Sequence, residues 1–256
     1  MGAMQDTTLD YLRKLAPDST ARLTVHFAAE VEEMSLLVSR AMEALQNYHM
    51  ANPEHDPENP KQVAFGLMTK GVNTLMAAFQ LSLSGYLWEP SILLRSALEG
   101  FATAWDLVHN PARFEQWKAN RKFDSTYSIS SVKEVSEEIG KLYGHLSKVS
   151  VHTSPLNSSP SMVVAEGQPK FQFFGLVSSG KEAIRKTEIY LSLFVSYVCL
   201  QLTELVFHQY AAELETIERI PGENMVRTKV SARHRAIVDA MNAHFSRIAA
   251  DPNVSL

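Results

Sequence analysis

Residues 189–207, IYLSLFVSYVCLQLTELVF, are apolar on nearly every side of any helix they form. Such a helix cannot lie on a protein surface; it is enclosed by other elements or by lipid. Its length matches a bilayer span. However, Ser192, Ser196, Gln201, Thr203 and Glu204 lie within it, and Glu188 precedes it without a basic flank on the far side. One central carboxylate alone costs roughly 2.5–3.5 kcal/mol in lipid. The sequence therefore predicts a buried helix of a soluble bundle and no membrane contact. The chain can enclose it, since 45% of its 256 residues are hydrophobic and 20% charged. That balance excludes disordered, collagen-like and disulfide-scaffold classes. Glycine and proline, 11 each, are too few for a loop-rich all-β chain.

Helical periodicity continues along the chain. Residues 6–15 read as a short amphipathic piece ended by Pro17. Asp18, Ser19 and Thr20 then offer caps for a long helix to about Tyr48, with Val25, Ala28, Val31, Met34, Leu37, Val38, Met42 and Leu45 on one side. Residues 49–60 hold three prolines and read as a solvated connector. Further helices are expected over about 61–87, from Glu89-Pro90 to about Asn110, and from Pro111 to about Lys122. Ser130 or Ser131 is expected to cap the next, running to about His152. MVVAE and KFQFFG around GQP read as a β-hairpin at about 162–175. The longest helix should cover 181–218, stopped by Pro221-Gly222, with a final basic helix over about 229–250. The predicted class is all-α: a six- or seven-helix bundle with a short β-hairpin inserted. Residues 1–4 read as an expression scar with a native Met4, and 5–256 as one helical domain.

Two polar stripes stand out. On the apolar helix 88–110, Arg95, Glu99, Asp106 and His109 fall within about 80° of one another at 100° per residue. Arg95 and Glu99, four apart, can pair. The strip either faces solvent around one salt bridge or lines an internal site. In KLYGHLSKVSVH, Lys141, His145, Lys148 and His152 share one face. Two imidazoles and two ammoniums favour an anionic partner; the simpler alternative is a solvated basic face paired with the acids of the first stripe.

Other features carry less chemistry. Cys199, the single cysteine, permits no internal disulfide and reads as a small buried hydrophobe. Glu204/His208 and Asp106/His109 do not reproduce the Glu-x-x-His pairs of a di-iron bundle. No zinc pattern, phosphate-cradling glycine loop or nucleophile elbow is present, so neither metal nor cofactor is expected. The row Ser192, Ser196, Cys199, Thr203 reads as close helix packing or a homodimer seam through 185–207. The net charge of −4 argues against a general nucleic-acid coat protein. It is unevenly spread: residues 219–256 hold six bases against three acids, net +3, and residues 1–60 ten acids against four bases, net −6. The two ends can attract each other, or the basic helix can meet nucleic acid.

The run LRSALEG on an apolar helix, then YGHLSKVSVH, a hairpin and a long helix resemble a bacterial all-helical family of unknown function. Its Arg-x-x-x-Glu helix and downstream Ser-x-x-x-x-His segment correspond here to Arg95, Glu99, Ser147 and His152. The resemblance covers about 65–215. More distantly the chain is similar to the higher-eukaryote-and-prokaryote nucleotide-binding (HEPN) superfamily, whose active members look like metal-independent ribonucleases with a signature of Arg, four to six residues, then His. Arg227 to His234 fits that spacing, but roughly 1.3 such matches are expected by chance in this composition. The distant resemblance suggests a defence or toxin–antitoxin setting.

Two functions compete. The first is a non-enzymatic cytoplasmic module that binds an anionic ligand, RNA or a protein partner between the stripes, with Lys141, Ser147, Lys148, Asp106 and His109 as ligand-binding residues. The second is a metal-independent ribonuclease, with His152 or His145 moving the proton, Arg95 or Lys148 stabilising the phosphorane, and Glu99 in the same site.

Overall fold

The computed structural model describes residues 16–86, 89–119, 123–133, 138–150, 162–165, 168–171 and 182–207. The chain is all-α, with eight helical segments among these residues: α1 (Ala16–His26), α2 (Ala28–Ala51), α3 (Pro60–Leu83), α4 (Glu89–His109), α5 (Pro111–Lys118), α6 (Ser125–Val132), α7 (Glu138–Ser150) and α8 (Glu182–Phe207). Strands β1 (Met162–Ala165) and β2 (Gln168–Phe171) pair antiparallel, Met162 opposite Phe171 and Ala165 opposite Gln168. The expected piece at 6–15, the last part of the helix expected to 218, the basic helix 229–250, Arg227, His234 and His152 lie outside the described residues.

Local chemistry accounts for most boundaries. Pro60 and Pro111 each occupy a first helical turn, where the missing N–H costs nothing. Asn59 accepts from the Lys61 N–H at 2.9 Å, and Asn110 from the Arg113 N–H at 3.3 Å. The end of α3, expected near 87, falls at Leu83 because Gly85 takes φ 96°, which its lack of a Cβ allows. The Gly85 and Tyr86 N–H groups then return to the carbonyls of Ser82 and Leu81, closing the helix end.

Three boundaries correct the sequence reading. Asp18 and Ser19, expected as caps, lie with Pro17 in the first turn of α1. The expected single rod is bent at Phe27, which has φ −107° and ψ 37°. Hydrogen bonds from Phe27 N–H to Leu23 and from Val31 N–H to the Phe27 carbonyl carry the chain across the bend. The buried face runs unbroken through the bend: Leu23, Phe27, Met34, Leu37, Val38, Ala41 and Leu45 are buried and lie within about 100° of one another at 100° per residue, whereas Val25, 77% exposed, and Met42, also exposed, lie off that face. Ser130 and Ser131 do not cap the following helix; they lie in α6, which Asp124 caps by accepting from the Thr126 N–H at 2.9 Å.

One core joins the bundle. α3 packs along α4, and α8 packs against α2, α3 and α4. α8 is the one helix among the described residues that is long and apolar enough to cross a membrane by length and composition, and most of it is buried inside the fold. Its small-residue row packs within the chain. Ser192, Ser196 and Thr203 hydroxyls donate to carbonyls one turn back, and Ser196 Oγ lies 3.2 Å from Met34 Sδ. The long helices thus enclose α8, while α5, α6 and α7 pack against α4. That placement brings α4 and α7, the two striped helices, side by side.

Candidate functional site

The rotation of α7 is set by Ile139, Leu142 and Leu146, which are buried and spaced to share one face. Tyr143, the next residue round the helix, is carried to α4. There its hydroxyl donates to Glu99 Oε1 at 2.9 Å and accepts from Arg95 Nη2 at 3.0 Å. Arg95 Nε donates to the same Glu99 oxygen at 3.0 Å, closing a three-membered ring of polar groups. The guanidinium carbon lies 5.1 Å from the Tyr143 ring centre. The ion pair foreseen at four-residue spacing therefore forms, half-buried at 23% and 27% exposure and tied to a second helix.

Electrostatics follow from this packing. Burial opposes the Arg95 charge, but the Tyr143 hydroxyl and then Glu99 outweigh it and raise the guanidinium pKa. Burial, reinforced by the bond to Glu99, raises that of Tyr143. Tyr143 is therefore neutral at physiological pH and works as a hydrogen-bonding hinge. Arg95 Nη1 and Glu99 Oε2 make no hydrogen bond among the described residues, leaving guanidinium N–H donors and one carboxylate oxygen at the site. Ser147, one turn along α7 from Tyr143, has a buried hydroxyl without a hydrogen-bond partner among the described residues.

The remaining members of the stripes go elsewhere. Lys141 and His145 stand two residues either side of Tyr143, about 200° round the helix, so they occupy the opposite flank of the buried ridge. Lys141 is exposed and His145 half-buried. Lys148 falls in the last turn of α7, where only the backbone is described.

Asp106, three turns beyond Arg95, is 1% exposed and is a structural anchor. Its Oδ2 accepts from Arg113 Nε at 3.1 Å and from the Ser128 hydroxyl at 2.9 Å. Arg113 also reaches Gln116 and the Asp124 carbonyl and lies over the Phe123 ring at 4.1 Å, locking α5 and α6 onto the end of α4. His109 is exposed, stacked on Trp105 at 4.4 Å, with Nδ1 2.8 Å from the Trp105 carbonyl. A carbonyl only accepts, so Nδ1 carries a proton. The first stripe is thus two clusters: Arg95 with Glu99, and the Asp106 anchor with His109 outside it.

Sequence reasoning did not single out Tyr143, Arg113 or the pair Ser91–Glu188. Glu188 is buried in α8, with Ser91 Oγ at 3.1 and 2.9 Å from its two oxygens. Burial pushes its pKa up to about 8 against the lowering effect of Ser91, with Glu89 adding to the rise. A protonated carboxyl suits this geometry: Ser91 donates to one oxygen and the acid O–H donates to Ser91. The available signal was a carboxylate opening a largely apolar run. Among the described residues no group of His, Cys, Asp or Glu comes together that could hold a metal ion; Glu204 instead accepts from Arg40 Nε at 3.1 Å. Compared with known proteins, the chain matches no protein-family model, no curated protein and no solved structure.

Proposed function

We propose that the protein is a cytoplasmic helical binding module, not a membrane protein, that takes an anionic ligand or an acidic protein segment on the Lys141/His145 flank of α7. The observation that carries this reading is where the acids of the first stripe go. Glu99 is bonded to Arg95 and Tyr143, and Asp106 to Arg113 and Ser128. Both acids are thus spent within α4 and its other neighbours, so the two stripes do not pair through them. Lys148 follows on the same face of α7 by helical register, and His152 extends the face in sequence. The architecture that goes with this function is a bundle of six or seven helices, with the bent α1–α2 rod taken as one, into which the hairpin at about 162–175 is inserted.

The test is binding of two labelled probes, a short single-stranded RNA and a poly-glutamate peptide, to wild type and to a Lys141→Glu/His145→Glu variant. A loss of at least about tenfold in affinity, with a salt dependence that flattens as charges are removed, is expected. Unchanged binding by the variant would overturn the assignment. The ribonuclease reading requires a histidine within hydrogen-bond reach of the phosphate that Arg95 would hold. Arg95 is instead bonded to Glu99 and Tyr143, with His145 on the opposite flank of α7, which favours binding over catalysis. Incubating total RNA with the protein in EDTA, wild type beside His152→Ala, tests it directly: cleavage lost in the variant would replace the binding module with the enzyme.

A further inference from the structure

The bent rod α1–α2 presents a second face that the described helices leave uncovered. Between Thr24 and Ser39 it forms an open groove of about 650 Å³, floored by Ala28, Val31 and Leu36, with Glu32 and Ser35 beside them. These positions recur at three- and four-residue spacing, rotated away from the buried Met34, Leu37, Val38 and Ala41. Ala28, Glu32, Ser35 and Ser39 are exposed. Glu32 lines the groove, with Asp18 and Glu43 within about 40° of it by helical register, whereas Glu33 is buried and Arg40 is paired with Glu204.

We propose that the occupant of this groove is the chain's own basic segment, residues 229–250. On a helix of 100° per residue, Val230, Ile237, Met241, Phe245 and Ile248 fall within about 80° of one another, and Lys229, Arg233 and Arg247 share one flank. An apolar ridge with a basic flank complements an apolar floor with an acidic edge. The segment spans about 33 Å as a helix and the groove about 23 Å, so the ridge covers the floor along its length.

The route of the chain permits the docking. α8 runs parallel to α2: Ser196 meets Met34, Glu204 meets Arg40, and the Phe207 and Tyr48 rings lie 4.6 Å apart. It therefore leaves the described fold at the far end of the rod that bears the groove. Returning from Tyr48 to the stretch 24–39 means covering about 14–36 Å. Residues 208–228, with Pro221-Gly222 among them, reach about 70 Å when extended. The alternative segment, 5–15, carries two acids and two bases and offers no complementary charge.

The experiment is cross-linking of the full-length protein with a short bis-maleimide after introducing Ser35→Cys and Ala240→Cys, with Ser96→Cys/Ala240→Cys as control. Cys199 is buried, so the native thiol does not compete. An intramolecular cross-link at least about tenfold above the control is expected, reflecting the raised effective concentration of a docked segment. Adding Lys229→Glu, Arg233→Glu and Arg247→Glu is expected to return the yield to the control level. A yield equal to the control, a link joining two chains, or efficient linking of Ser35→Cys to Thr8→Cys in place of Ala240→Cys would each overturn the proposal.

Discussion

The Ser91–Glu188 pair turns burial into a pH dependence with a definite sign. In the unfolded chain the Glu188 carboxyl ionises near its ordinary value of 4.5; in the folded protein burial holds the proton to about 8. Between these values the native state binds more protons than the unfolded one, so stability falls as pH rises. The slope is about 1.4 kcal/mol per pH unit, which accumulates to about 3 kcal/mol by pH 7 and levels off near 5 kcal/mol above about pH 8. Glu188→Gln keeps the shape and the Ser91 contact but cannot ionise. Urea unfolding of both proteins from about pH 5 to about pH 9 separates this group from all others, because histidines and surface acids contribute equally to each curve. The stability of the variant minus that of wild type should rise by about 3 kcal/mol between pH 5 and pH 7.5 and then flatten. In thermal melts the same change corresponds to roughly 6–12 °C. A difference that stays constant across the range would refute the reasoning, since it would mean that the carboxyl is as easily ionised in the fold as in water.

Other perturbations follow from single contacts. Asp106→Ala should cost about 3–5 kcal/mol in urea unfolding, because it strands the largely buried Arg113 guanidinium and the Ser128 hydroxyl; a cost below about 1 kcal/mol would contradict the anchor role. Gly71→Ala should destabilise by about 1–3 kcal/mol, since a Cβ there runs into the fully buried Phe101 ring, and a neutral effect by calorimetry would show that the α3–α4 contact has slack. The Cys199 thiol, buried and with its pKa raised by that burial, should be inert to Ellman's reagent in the folded protein and titrate as one thiol in concentrated guanidinium; reaction at equal rates in both states would place it at the surface.

Sequence reading recovered what depends on a helix alone. The apolar run 189–207 demanded enclosure, and the core helix α8 is enclosed; Pro111 announced a helix start, whereas Pro60, read as the end of the connector, opens α3. It failed where a neighbouring element decides. The bend at Phe27 has no proline or glycine to announce it, and hydrogen bonds continue through it; Val25 and Met42 were put on the wrong face for a different reason, since repeated three-residue steps drift by about 60° each around a helix. Helix α6 was lost for a related reason: STYSISSV has weak intrinsic helix preference, and its cap Asp124 and its anchor to Asp106 become visible only when Arg113 brings α4, α5 and α6 together.

The candidate site shows the same division in finer form. Spacing correctly paired Arg95 with Glu99, because both lie on one helix. It also grouped Asp106 and His109 with them, since an angle on a helical wheel ignores position along the axis. Three turns, about 16 Å, separate Arg95 from Asp106, and over that distance the neighbour changes from α7 to α6. On α7, a polar-residue count selected Lys141 and His145 and passed over Tyr143, an aromatic that looked like core. The ridge Ile139, Leu142, Leu146 sets the rotation, and that rotation sends Tyr143 to the ion pair and the cations to the other flank. A stripe therefore becomes a site only when the apolar ridge beside it is read first. The ridge determines which flank meets a neighbouring helix and which remains for a partner.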